Sequence, residues 1–279
     1  MIVLSRSQAD KLLNARETGM GTISVTPDLG LTKCEVNVGE DGVRFPDVQW
    51  LGWDEVMRIR SSDVGCFMLE EGKLRKIQTF SEHTNRHISL MPTDGAPTLL
   101  VAGFPMHRIK GTDPSQDTLT KIETISPVIG RVLDTATGLG YTAIEASKTA
   151  EVVITIEIDP VVLEIAHLNP WSKDLFENPK IEQLIGDSFE VIQGFEDGSF
   201  SLIIHDPPTF SLAGELYSQA FYHQLYRVLE RGSRLFHYIG DLESRSGKRV
   251  ARGVVERLRE VGFNCIRRHP EAFGVVGVR

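Results

Sequence analysis

Cysteine is scarce in this chain. Among its 279 residues the cysteines are Cys34, Cys66 and Cys265, an odd number, widely spaced and without a C-x-x-C pair. That pattern excludes a disulfide framework and a zinc knuckle. Long apolar runs are also missing: nothing approaches the roughly 18 consecutive apolar residues of a membrane span. The opening Met1-Ile-Val-Leu-Ser-Arg-Ser-Gln8 lacks the basic-then-apolar order of a signal peptide, so a cytoplasmic location and no membrane partner are expected. Positive charge is not in excess. Against 38 Asp and Glu stand 30 Lys and Arg, a net charge of -8, which argues against a protein whose affinity rests on covering many phosphates. RNA is not excluded, because Arg245, Lys248, Arg249 and Arg252 cluster at one helix start and Arg267-Arg268 in a late strand. The usual meaning of such clusters is a solvated face. His83 and His87 have helical metal-ligand spacing, but no third ligand accompanies them and strand patterns surround them, so no metal is expected.

What is present is a composition, 41% hydrophobic and 24% charged, that fills one large or two modest cores. Residues 1–112 read as a small β-rich domain. A helix is expected from Ser7, with Ser7-x-x-Asp10 as a weak capping box. Strand-like segments follow at Gly21–Thr26, Thr32–Val38 and Gly65–Leu69, separated by Pro-Asp, Gly-Glu-Asp-Gly and Glu-Glu-Gly turn signals. Gly111-Thr-Asp-Pro114 then opens a helix to about Ile125 that leads into a second domain, residues 113–279.

The second domain alternates strands and helices, as a doubly wound sheet requires. An apolar strand, Arg131–Asp134, runs into Thr135-Ala-Thr-Gly138-Leu-Gly140 and then a helix over about Tyr141–Ser147. Glycines at 138 and 140 allow a sharp turn and a ligand lying against the backbone, with helix N–H groups directed at its polar end. Three further acids mark strand ends: Glu157, with Ile158 beside it; Asp187, followed by Ser188; and Asp206, which heads Asp206-Pro207-Pro208-Thr209-Phe210. Ligands gather at such ends in open α/β sheets. Later, Phe221, Leu225, Val228 and Leu229 share a helical face with Gly232 as the expected stop. The last two strands, Phe263–Arg268 and Phe273–Val278, are too close for a parallel crossover and must form a hairpin.

These motifs, over roughly residues 116–279, resemble a class I S-adenosylmethionine-dependent methyltransferase. The resemblance implies a seven-stranded, doubly wound Rossmann-like α/β sheet with a C-terminal antiparallel hairpin. It implies S-adenosylmethionine as cofactor, with Asp134, Thr135 and the Gly138/Gly140/Tyr141 loop at the methionine end. Glu157 and Ile158 would lie at the ribose, and Asp187 and Ser188 at the adenine. Asp206, Pro207, Pro208 and Phe210 would hold a target amine against the methyl group, with Asp206 also placed at the cofactor, although Thr209 stands where the family has its aromatic residue. The expected activity is methyl transfer to an amino nitrogen of an RNA, protein or small-molecule acceptor.

Rival readings remain open at this stage. Gly138-x-Gly140-x-x-Ala143 also satisfies a dinucleotide fingerprint, with Glu157 at about the expected distance. Val153-Ile-Thr-Ile-Glu-Ile-Asp-Pro160 and Leu216–Leu225 resemble spermidine synthase-like proteins, which join a small β domain to the same cofactor fold; this resemblance implies aminopropyl transfer. With Asp206-Pro207 set against the Asp-Pro that ends those enzymes' signature, Ile203 replaces its first acid. A non-catalytic S-adenosylmethionine-binding protein is the third reading. His205 should face away from Asp206 as a packed residue. The segment Phe104–Lys110, with Asp113 and Asp117 after it, stands at the domain junction, where Lys110 and Asp117 are candidates for cofactor contact.

Overall fold

A computed structural model describes residues 1–47, 49–210 and 212–279. It divides into two compact units, Met1–Ser115 with Val161–Lys173, and Gln116–Pro160 with Asp174–Arg279. In the first unit, three antiparallel sheets of three, four and four strands accompany the helices Arg6–Glu17 and Trp53–Arg60. Leu4, Leu12, Val36, Val43, Phe45, Leu51, Ile59 and Leu69 form its core. The first helix starts earlier than its sequence suggests: Ser5, with extended backbone, is the cap, and its N–H donates to Gln8 Oε1 at 2.9 Å. Ser7 already lies in the first turn, so Ser7-x-x-Asp10 is not the capping pair.

In the second unit the strands are β1 (Arg131–Asp134), β2 (Val152–Glu157), β3 (Ile181–Ile185), β4 (Phe200–His205), β5 (Leu229–Tyr238), β6 (Asn264–His269) and β7 (Gly274–Val278). They form one sheet in the order β3-β2-β1-β4-β5-β7-β6. Neighbours among β1 to β5 are parallel; β7 is antiparallel to both β5 and β6. The helices are α1 (Pro114–Glu123), α2 (Tyr141–Ser147), α4 (Lys173–Glu177), α5 (Ser188–Val191), α6 (Gln219–Val228) and α7 (Arg245–Val261), while the intervening α3 (Pro160–His167) belongs, from Val161 on, to the first unit. Strands β2 and β4 are apolar on both faces, as helix-covered parallel strands must be, and Ile203 and Phe200 are fully buried. Helices α6 and α7 turn Phe221, Leu225, Val254, Leu258 and Val261 into this core.

Gly232 does not stop α6. The helix ends at Val228 and Leu229 is already extended, because both side chains are fully buried and draw the chain directly into β5. Gly232 lies inside β5 at φ 80°, near the register shift between Phe200 and Leu202 of the neighbouring strand. The terminal hairpin is present, joined by the short turn Pro270–Ala272. Among the described residues no helix is long and apolar enough to cross a membrane.

Candidate functional site

The carboxyl ends of β1, β2 and β4 and the turn after β3 each present an acid, since a strand that leaves the apolar interior ends where polar groups become tolerable. Asp134 closes β1 with no exposed surface. Its Oδ2 accepts from Thr142 Oγ1 and Thr155 Oγ1, both at 3.0 Å, and its Oδ1 is buried without a well-formed hydrogen bond. Burial pushes its pKa up to about 7, against the two threonine donors. Glu157, at the end of β2, accepts from the Gly138 N–H at 2.9 Å through Oε2 and from the Asp159 N–H at 3.1 Å through Oε1. Burial raises its pKa to about 7 as well, with those backbone donors pulling the other way.

The two glycines between these acids do different work. Gly138 has φ 53°, and a Cβ placed there meets nothing within 4 Å, so a ligand can lie over it. Gly140 has φ 76°, and a Cβ there falls 2.7 Å from Leu175 of α4; its missing side chain lets α2 start against α4. Gly140→Ala should therefore destabilise the fold by about 1–3 kcal/mol through overpacking, beyond the roughly 1–2 kcal/mol of left-handed strain that it shares with Gly138→Ala. Thermal unfolding of the two variants checks this, with the lower midpoint expected for Gly140→Ala.

The remaining sequence candidates divide between site and scaffold. Asp187 is half-buried and caps α5, accepting from the Phe189 N–H at 2.7 Å. Ser188 is buried and donates to the Thr135 carbonyl at 2.6 Å, while Thr135 Oγ1 meets His205 Nδ1 at 2.6 Å. Thr135 thus ties the end of β1 to β4 through His205 and to α5 through Ser188. Tyr141 is buried at the start of α2, and Ile158 is exposed. His205 is wholly buried between Thr135 and the Leu216 carbonyl, and burial lowers its pKa to about 3. It packs at 4.4 Å from the His237 ring, neutral and turned into the core.

At the end of β4 the structure adds a residue that sequence reasoning missed. Lys121 of α1 is 3% exposed, and its ammonium lies 2.7 Å from Asp206 Oδ2, 2.8 Å from Asp117 Oδ2 and 4.5 Å from the centre of the Tyr238 ring. Burial alone would depress this lysine, but Asp206 and then Asp117 outweigh it and hold the ammonium charged, above the ordinary lysine range. Burial raises Asp206 in turn, and Lys121 opposes that rise. A signal existed: Asp117 and Lys121 stand at i and i+4 of α1, an opposite-charge pair on one helical row. Asp117, a candidate for cofactor contact, is buried and paired with Lys121. Beyond Asp206, Pro207 is buried, and the Pro208 carbonyl accepts from Tyr217 OH at 3.1 Å. The exposed Phe210 ring sits edge-on to Tyr217 at 5.5 Å. Among the described residues no metal-ligand cluster is present.

No family model matches the chain. The uncharacterized protein MJ1233 of Methanocaldococcus jannaschii is 43% identical over 238 residues, 85% of this chain and 81% of that protein. The polyamine aminopropyltransferase of Sulfurisphaera tokodaii is 32% identical over 89 residues, 30% of each chain. A spermidine synthase structure in complex with the transition state analogue AdoDATO superposes with a TM-score of 0.60 at 19% identity, covering 76% of this chain and 78% of its own. The fold is thus the Rossmann-like class I fold that S-adenosylmethionine-dependent methyltransferases share with spermidine synthases, in a spermidine synthase-like architecture. On the identity and mutual coverage with its methanogen relative, the chain belongs to the family of the uncharacterized protein MJ1233.

Proposed function

We propose that this chain is an enzyme that transfers the methyl group of S-adenosylmethionine to an amino nitrogen. The observation behind this reading is Asp206, a carboxylate paired with a buried ammonium at the end of β4 and followed by two prolines. Lys121 engages Oδ2 and favours the ionised form, so Oδ1 can accept an N–H from the acceptor amine. Pro207 and Pro208 restrict the backbone beside it, and Phe210 offers a ring to the amine's planar group. Held this way, the nitrogen keeps its lone pair for the methyl carbon, and positioning supplies much of the rate.

The residues fit the cofactor. Asp134 has a buried oxygen without a well-formed bond, Gly138 has open space over its Cα, and Glu157 and Asp187 are acceptors for ribose hydroxyls and an adenine amine. When bound, S-adenosylmethionine supplies an electrophilic methyl on a sulfonium. The chain's part is to hold acids around that cation and to aim the acceptor nitrogen.

A second reading, aminopropyl transfer, is favoured by the matched stretch of the Sulfurisphaera tokodaii polyamine aminopropyltransferase. Against it, the acid–x–x–Asp-Pro signature of spermidine synthase-like proteins cannot be completed here. With Asp206 as its second acid, the first falls on Ile203, fully buried and paired to β1. With Asp206 as the first, Thr209 stands in place of the second. One carboxylate short, the site lacks a group to take the proton of a charged amine acceptor.

Calorimetric titration with S-adenosylmethionine, its decarboxylated form and NAD tests these readings. Preferential binding of S-adenosylmethionine is expected; preference for the decarboxylated form would favour aminopropyl transfer, and preference for NAD would overturn both. The pH dependence follows from Asp134 and Glu157, each at about 7 without ligand. Cofactor donors favour the ionised carboxylates, so binding lowers both values and releases protons. Affinity should rise about tenfold or more from about pH 6 to 8 and then level off. Flat affinity without proton release would remove both acids from the site.

A further inference from the structure

Helix α7 carries an unbalanced charge. Its inner face, Val254, Val255, Leu258 and Val261, is buried in the core. At about 100° per residue, Arg245, Lys248, Arg249, Arg252, Glu256 and Arg259 fall within an arc of roughly 100° on the other side, and all six are exposed. Five are cationic, with Glu256 in the stripe and Glu260 at its margin, in a chain whose net charge is -8.

Beside this stripe lies β6, an edge strand of the sheet. A cleft of about 360 Å³ opens between them, lined by Arg252, Val255, Glu256, Arg259, Ile266 and Arg268. Among the described residues, Arg252, Arg259 and Arg268 have no carboxylate partner. The cleft is also near the candidate site. Arg268 is in register with Val275, Val275 with His237, and His237 with His205, the residue before Asp206. Three interstrand spacings of about 4.8 Å put Arg268 about 14 Å from that position along the row.

We propose that α7 and β6 form a binding surface for the phosphodiester backbone of single-stranded nucleic acid. Unpaired guanidinium groups match phosphate oxygens in bidentate geometry. From Arg245 to Arg259 the stripe runs about 21 Å, far longer than one phosphate needs. A lipid surface fits poorly, because the apolar face of α7 is spent on the core and nothing remains to enter a bilayer. The cleft has no aromatic lining residue, so it suits the backbone more than the bases. The choice of an unpaired strand rests on the amine reading of Asp206, since the amino groups of paired bases are engaged within a duplex.

The test is fluorescence anisotropy of the full chain with a labelled single-stranded RNA oligonucleotide, without cofactor, across a salt series. Binding is expected to weaken with salt at a log–log slope of about -2, as for three phosphate contacts on a single strand. Replacing Arg252, Arg259 and Arg268 together by glutamine should cut affinity at least about tenfold and flatten that slope, with cofactor affinity and thermal midpoint unchanged. The same exchange at the exposed Lys11, Lys33 and Lys73 should change affinity little. The proposal is overturned by absence of RNA binding at low salt, by equal losses from the two triple variants, or by tighter binding to phosphatidylserine vesicles or to duplex than to the single strand. RNA binding that survives in a chain unable to transfer methyl would leave the surface standing and remove only the amine reading.

Discussion

Asp206→Ala is expected to lower methyl transfer on the order of a thousandfold while the cofactor dissociation constant changes less than about threefold. The alanine keeps the Pro207-Pro208 backbone but removes the acceptor that aims the amine. Lys121 retains Asp117 as a counter-ion at 2.8 Å, so the fold should survive and the loss should fall on the transfer step. The measurement is a single-turnover assay beside a cofactor titration. An equal loss of affinity and rate would mean that Asp206 shapes the cofactor pocket. Unimpaired transfer would remove it from the chemistry, and with it the methyl-transfer reading that rests on this position.

Lys121→Met should have the largest effect on stability. It leaves Asp117 and Asp206, with side chains 0% and 16% exposed, as two carboxylates without their cation. Breaking a buried pair from one side costs about 3–5 kcal/mol, so the thermal midpoint should fall by roughly 10 °C. Transfer should fall too, because an unpaired, buried Asp206 takes up a proton and ceases to be a pure acceptor. Adding Asp117→Asn removes one of the stranded charges and should recover part of the midpoint without recovering transfer. Calorimetry of the single and double variants tests this coupling. A midpoint within about 2 °C of the parent for Lys121→Met would mean that the three groups are solvated rather than mutually compensating.

Together the two variants separate the roles at the end of β4. On the methyl-transfer reading proposed above, Asp206 faces the acceptor and Lys121 acts through Asp206 as a positioning residue. The pairing also bears on the distinction between amine methylation and a sensor function: the proposed transfer uses the buried ammonium that opposes protonation of Asp206, whereas cofactor binding alone does not require it.

Everything set by short-range pattern is legible in the residues alone. The apolar runs Val152–Ile158 and Ser201–His205 had to be covered strands, and the row Val254, Val255, Leu258, Val261 had to be the inner face of a helix. The short link before Phe273 had to close a hairpin. The acids Asp134, Glu157, Asp187 and Asp206 were legible because each stands where an apolar run or its turn ends. Even there, local pattern misplaced a cap at Ser7 and a stop at Gly232, since burial of Leu229 and the extended backbone of Ser5 are tertiary outcomes. Which groups meet is a matter of long-range packing. Lys121 reaches Asp206 across 85 residues of chain, Gly140 is required by Leu175, and Arg268 comes to stand beside Arg252 and on the row of His205. Such meetings depend on strand order and on how each helix packs over the sheet, which are settled by burying the whole core at once; local periodicity contains no record of them.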